Sequence, residues 1–75
     1  ELYLWDNSIS DLTPLKKLKN LKELNLQNNY ISDPSPLYGL KQLEVLVIGD
    51  NCMTEEQVSR LRQALPNTMI YADYQ

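Results

Sequence analysis

The 75-residue sequence predicts an α/β solenoid: short parallel strands alternating with 3₁₀ or helical turns, closed by a C-terminal helix and a capping strand. Three observations carry that expectation. The chain aligns with itself at an offset of 22 residues without slipping. Each copy follows alternating leucines with an asparagine, and the third copy departs from the others where a helix start is spelled out.

The strands come first. At this offset Leu2 aligns with Leu24 and Leu46, Leu4 with Leu26 and Ile48, and Ile9 with Ile31 and Met53. Apolar residues at every second position are the period of a strand with one buried face, so the leucine pairs and Leu46 with Ile48 point inward. Asn7, Asn29 and Asn51 recur in the same register. An inward amide in a stacked turn can satisfy loop N–H and C=O groups, so these three are expected to form a structural ladder rather than a ligand site.

The return segments are equally legible. Thr13-Pro14-Leu15 and Ser35-Pro36-Leu37 each place a hydroxyl N-cap before a proline whose fixed φ suits a first helical position. Asp11 and Asp33 are expected to accept turn N–H groups just ahead of them. Leu15, Leu18 and Leu21, then Leu37, Leu40 and Leu43, carry the apolar face of these turns into the core. Pro34 stands where the first copy has Leu12, so the second turn is expected to lose a buried side chain and gain stiffness.

In the third copy Thr54-Glu55-Glu56-Gln57 spells a capping box with acidic residues in the first turn. A helix is expected from about Glu55 to Leu65, with Val58, Leu61 and Leu65 on its apolar face and Pro66 ending it. Continued at the same offset, Thr68 falls level with Leu46, Ile70 with Ile48 and Asp73 with Asn51. That predicts a fourth strand around Met69 to Ala72, Thr68 at an interior position, Asp73 on the ladder, and a polar end at Asp73-Tyr74-Gln75. The expected divisions are a partial repeat (1–20), a repeat (21–42), a repeat with an α-helix (43–64) and a capping strand (65–75). The pattern is already under way at Glu1, as in a piece of a longer or processed protein. Leu2, Leu4 and Ile9 then form an apolar cross-section that should self-associate or fray.

With these residues laid out, NSISDLTPLKKLKNLKELNLQNNYISD resembles the bacterial internalin-type leucine-rich repeat, and ALPNTMIYAD is similar to the terminal strand that ends many such domains. The resemblance covers essentially the whole chain. It implies a secreted or cell-surface bacterial protein whose concave sheet grips a protein or sometimes a glycan. Similar repeats occur in eukaryotic intracellular scaffolds of the phosphatase-1 regulatory type, which keeps a cytoplasmic location open, but the Ser-Asp-Leu-Thr-Pro-Leu spelling leans bacterial. An internalin that recognises a host receptor builds its arch from many more repeats.

Composition narrows the function classes. A net charge of −3 with seven basic residues, and lysines gathered mostly in one turn region, argue against nucleic-acid binding, which needs a basic stripe. With no His and one Cys, transition-metal sites lack their usual ligands, and the strand carboxylates Glu1, Glu23, Asp6 and Asp50 lack the dense loop spacing of a calcium site. Cys52 is expected near the surface with no internal disulfide. Catalysis is not expected: Ser8, Ser10 and Thr13 have no histidine to activate them, Cys52 lacks a base, two glycines make no phosphate loop, and Asp11 and Asp33 show no acid/base asymmetry. No cofactor is expected. No run of about 18 apolar residues exists to insert in a membrane.

The residues flanking the inward leucines face the concave surface. At the constant offset they form four rows: Glu1, Glu23, Val45, Asn67; Tyr3, Asn25, Val47, Met69; Trp5, Gln27, Gly49, Tyr71; and Asp6, Asn28, Asp50, Ala72. Valines are common on strands for propensity alone. Tyr3, Trp5, Val45, Val47, Met69 and Tyr71 on one face nonetheless predict a protein-binding surface, with Asn25 and Gln27 between the anchors. The alternatives are a purely architectural cap for a longer array, with the binding site elsewhere, and glycan binding through stacked aromatic rings.

Overall fold

The computed structural model describes residues 1–73, so the expected polar end at Tyr74 and Gln75 lies outside the described residues. Four strands, β1 (Leu2–Tyr3), β2 (Glu23–Asn25), β3 (Val45–Val47) and β4 (Met69–Tyr71), form one sheet in the order β1-β2-β3-β4. All neighbouring pairs are parallel. A 3₁₀ turn at Thr13–Lys17 joins β1 to β2, a second at Ser35–Leu37 joins β2 to β3, and α1 (Glu55–Ala64) joins β3 to β4. This is the expected architecture. The core lies between the sheet and the return segments, where Leu24, Leu26, Leu46, Ile48, Leu37, Leu40 and Leu61 are all buried. Burying such a side chain contributes roughly 1.5–3 kcal/mol, and each is covered by the layers on either side of it.

The asparagine ladder forms with a direction. Asn29 Nδ2 donates to Leu26 O in its own turn and to Leu4 O in the preceding repeat, while its Oδ1 accepts from Ile9 N. Asn51 repeats the arrangement with Ile48 O, Leu26 O and Ile31 N. Asn7 makes the same-turn bonds to Leu4 O and Trp5 O, and its side chain is exposed.

Three expectations about the turns are corrected. The hydroxyls of Thr13 and Ser35 are not the caps, since both residues lie inside their 3₁₀ turns and neither turn has a side-chain cap at the residue before it. The carboxylates do that work, Asp11 Oδ1 accepting from Thr13 N at 2.9 Å and Asp33 Oδ1 from Ser35 N at 3.0 Å. Pro34 is itself buried, its ring taking the space that Leu12 fills in the first turn. Leu18 does not enter the core but stays 41% exposed, and Leu15 and Leu21 beside it are half-buried, because among the described residues no layer lies beyond β1 to cover them.

The helix start is as expected. Thr54 Oγ1 accepts from Gln57 N and Gln57 Oε1 accepts from Thr54 N, closing the capping box, and the helix buries Val58 and Leu61.

The constant offset breaks at the last crossing. Leu2 pairs with Leu24 and Leu24 with Leu46, steps of 22, but Leu46 pairs with Ile70, a step of 24. An α-helix rises about 1.5 Å per residue against about 2.0 Å in a 3₁₀ turn, so a return path through ten helical residues takes more chain to come back to the sheet. Ile70, not Thr68, is therefore the interior partner of Leu46. Thr68 sits in the turn before β4, where Oγ1 donates to Leu43 O at 2.8 Å. Asn67 drops out of the outward rows, Met69 stands level with Val45 and Tyr71 with Val47. Ala72 packs against the core rather than joining Asp50.

Candidate functional site

A strand step of two residues preserves facing, so the outward side chains of β4 remain outward despite the changed level. One level runs Tyr3, Asn25, Val47, Tyr71 across all four strands, and the next runs Glu23, Val45, Met69. Asn25, Val45 and Val47 are half-buried in the middle of this face. Tyr3, Trp5, Met69 and Tyr71 are 49%, 50%, 58% and 54% exposed at its two edges. The Tyr3 and Trp5 rings pack against each other, centroids 5.6 Å apart and planes tilted by 57°. On the opposite edge the Tyr71 hydroxyl donates to Met69 Sδ. With strands about 4.8 Å apart, three spacings separate the two apolar edges by about 14 Å. The structure thus brings the sequence-predicted residues onto one face, as two anchors flanking a polar and aliphatic centre.

Where the strands end, Asp6, Asn28 and Asp50 take left-handed conformations with φ of 60°, 59° and 54°. Asp and Asn are the non-glycine residues that best tolerate that region. The recurrence of Asp or Asn at this position is the signal in the sequence, and it points to backbone geometry as well as to surface chemistry. The side chains interlock: Asn28 Nδ2 donates to Asp6 Oδ1 at 2.8 Å and Gln27 Nε2 to Asp50 Oδ2 at 3.3 Å.

Asp73 is the residue that sequence reasoning misplaced. The main-chain ladder runs Asp6 N to Gln27 O, then Asn28 N to Gly49 O. At the next step Asp50 N donates instead to the Asp73 carboxylate, at 3.0 Å to Oδ1 and 3.2 Å to Oδ2. Asp73 is therefore a side-chain substitute for a strand carbonyl, not a rung of the asparagine ladder. Gly49 makes room for it, since a Cβ there would stand 3.3 Å from Asp73 Oδ2.

Two clefts open on this face. One, of about 320 Å³, is lined by Trp5, Asp6, Asn25 and Gln27. The other, of about 270 Å³, is lined by Gln27, Val47, Gly49, Tyr71, Ala72 and Asp73. Gln27 stands between them. Hydrogen bonding to Glu1 is the largest effect that raises the Tyr3 pKa above the usual phenol value, with partial desolvation and the Glu1 and Glu23 charges adding to it. The hydroxyl is accordingly a neutral donor and acceptor at any physiological pH. Cys52 is exposed with a free thiol. Among the described residues no group of three or more acidic, His or Cys side chains is placed to hold a metal ion, and no helix is long and apolar enough to cross a membrane.

Comparison with known proteins places this arrangement. The family model for leucine-rich repeats in two copies matches residues 1–39. Among solved structures, internalin C2 from Listeria monocytogenes is similar at 30% identity with a TM-score of 0.81, over 97% of this chain and 33% of that one. The chain thus spans about a third of that internalin's length. No curated protein sequence matches it. Leucine-rich repeats serve generally as non-enzymatic scaffolds for protein interaction, built around an extended concave surface. The period, the parallel sheet and the asparagine ladder are that family's architecture, and the chain belongs to the leucine-rich repeat family, with repeats of the internalin type.

Proposed function

We propose that the outward sheet face is a protein-binding surface, with Tyr3, Trp5, Asn25, Gln27, Val45, Val47, Met69 and Tyr71 in the contact and the parent a secreted or surface-displayed bacterial protein. One observation carries the reading: among the described residues, four of the six exposed large hydrophobic side chains, Tyr3, Trp5, Met69 and Tyr71, fall on this one face. Half-exposed aromatic rings are the side chains that supply most binding energy at protein interfaces. The internalin-type architecture supports the location. The test is a Trp5→Ala, Tyr71→Ala double substitution in the parent protein, assayed for cross-linking to extracellular proteins against the unsubstituted form. Capture of the same partner in equal yield by both forms defeats the reading.

A specific observation favours a second role for the far end. The Asp73 carboxylate and the Thr68 hydroxyl complete main-chain hydrogen bonds at the last layer, and α1 covers the core there, as a terminating cap does. If the double substitution is silent, this architectural role is what remains. Glycan binding through Trp5 and Tyr71 is the third reading, removed by a glycan array without hits. The β1 end, with Leu2, Leu4 and Ile9 half-buried, supports self-association there. A Leu18→Glu variant whose sedimentation at high concentration matches the parent's argues against it.

A further inference from the structure

Charge is segregated on this molecule. Glu1, Glu23, Asp6, Asp50 and Asp73 border the outward sheet face, whereas all seven lysines and arginines lie in the turns or on α1. Several of those cations are already engaged: Lys22 pairs with Glu44, Arg60 with Glu56, and Arg62 donates to Ile70 O. A face that combines carboxylates, exposed aromatic rings and no cation is complementary to a positively charged partner.

The cleft beside Trp5 makes that complementarity specific. One wall is the indole, half-exposed and held at a tilt by Tyr3. Another is the Asp6 carboxylate, oriented by the Asn28 amide at 2.8 Å and by its left-handed backbone. Gln27 turns its amide nitrogen toward Asp50, donating to Oδ2 at 3.3 Å, and its carbonyl oxygen is free to accept from a ligand. Asn25 directs its own oxygen to Gln27 N and closes the side. An aromatic face, a carboxylate and an amide oxygen around one cleft of about 320 Å³ suit a planar cation that can stack and donate hydrogen bonds at once. Guanidinium does both, while an ammonium group cannot stack.

We propose that the cleft lined by Trp5, Asp6, Asn25 and Gln27 receives an arginine side chain, and that the partner's contact segment is basic. The proposal rests on the reading of the outward face as a protein-binding surface and names the chemistry of what binds there. Asp6 pairs with the guanidinium, Trp5 stacks on it, and Gln27 accepts from its edge. Asp73 in the neighbouring cleft continues the acidic track along the same direction.

The test uses the one tryptophan of the chain as a reporter. Acetylated hexa-arginine amide, hexalysine amide and hexaglutamate are titrated separately into the isotopically labelled protein, and the Trp5 indole N–H resonance is followed. Hexa-arginine is expected to shift it saturably, hexalysine to bind about threefold or more weakly, and hexaglutamate to leave it in place. Asp6→Asn, which places at this site the residue already tolerated in the same backbone conformation at Asn28, is expected to weaken hexa-arginine binding about fivefold. Glu55→Gln removes the same unit of charge from α1 and is expected to leave it unchanged. The proposal is overturned if hexa-arginine does not move the Trp5 resonance, if hexaglutamate moves it as strongly, or if the two charge-removing variants lose equal affinity. Each of those outcomes leaves the underlying reading of the face standing, because that reading fails only when the Trp5→Ala, Tyr71→Ala protein captures its partner undiminished.

Discussion

At the β1 end of the stack Leu2, Leu4 and Ile9 are half-buried and Leu18 is exposed, whereas at the β4 end Leu61, Leu65 and Ile70 are buried. The ladder differs in the same sense: Asn7 bonds only within its own turn, but Asn51 also holds Leu26 O and Ile31 N of the repeat before it. The two ends carry the same residue types, so composition is not what separates them. A solenoid leucine is as buried as the layer in front of it allows, and the layer at the β4 end is supplied by a longer helix and by the Asp73 carboxylate standing in for a main-chain acceptor.

The comparison can be pressed by substitution, with urea unfolding as the measure. Leu61→Ala, in a fully buried site under α1, should cost about 2–5 kcal/mol, and Leu2→Ala under about 1 kcal/mol, because its cavity opens on solvent. Equal losses would mean that the two ends do not differ in burial. Asn51→Ala should cost about 2–3 kcal/mol by leaving a buried N–H and carbonyls without partners, against about 0.5 kcal/mol for Asn7→Ala. A similar cost at both positions would show that the rung's bonds to the preceding repeat contribute little. Thr54→Ala removes the capping box of α1 and should cost about 1 kcal/mol, most of it recovered by Thr54→Ser.

The smallest effect is a pH dependence at the β1 end. The Thr13 hydroxyl and then the Thr13 N–H, both donating to Asp11, lower its pKa below the usual aspartate value. A lowered folded-state pKa gives stability that is present above the unfolded value, near pH 4, and is lost as pH falls through the folded one. Asp11→Asn, which removes the ionised acceptor, should therefore lower stability slightly at pH 7 and flatten its fall below about pH 4. An unchanged acid limb in the variant would remove Asp11 from the account.

Much of this was legible in the residues. The period fixed the facing of every strand because equal return paths give equal offsets, and the capping box announced the one α-helix among the described residues. At the β1 end the incomplete cover of Leu2, Leu4 and Ile9 was legible, but the exposure of Leu18 was not, since Leu18 and Leu40 occupy equivalent positions and only a covering layer distinguishes them. The level of β4 was not legible either, because a helix and a 3₁₀ turn cover distance at different rates. Outwardness survived that error, an extra two residues being a whole strand period, so Met69 and Tyr71 were assigned to the right face and the wrong rows. The role of Asp73 followed from the corrected level and had no signature of its own.

The directional ladder limits how such a chain can change in length. Asn29 and Asn51 each complete the turn before their own through the same three kinds of bond, so either could follow any earlier copy. Excising residues 21–42, or duplicating them, leaves every remaining rung with a matching acceptor and donor across the join. A deletion that takes part of a strand or of its asparagine turn instead leaves an amide of the neighbouring repeat without its partner. Growth and loss by one whole 22-residue turn therefore preserve both ladder and sheet, while the helical crossing from β3 to β4 reaches the same strand register with two residues more.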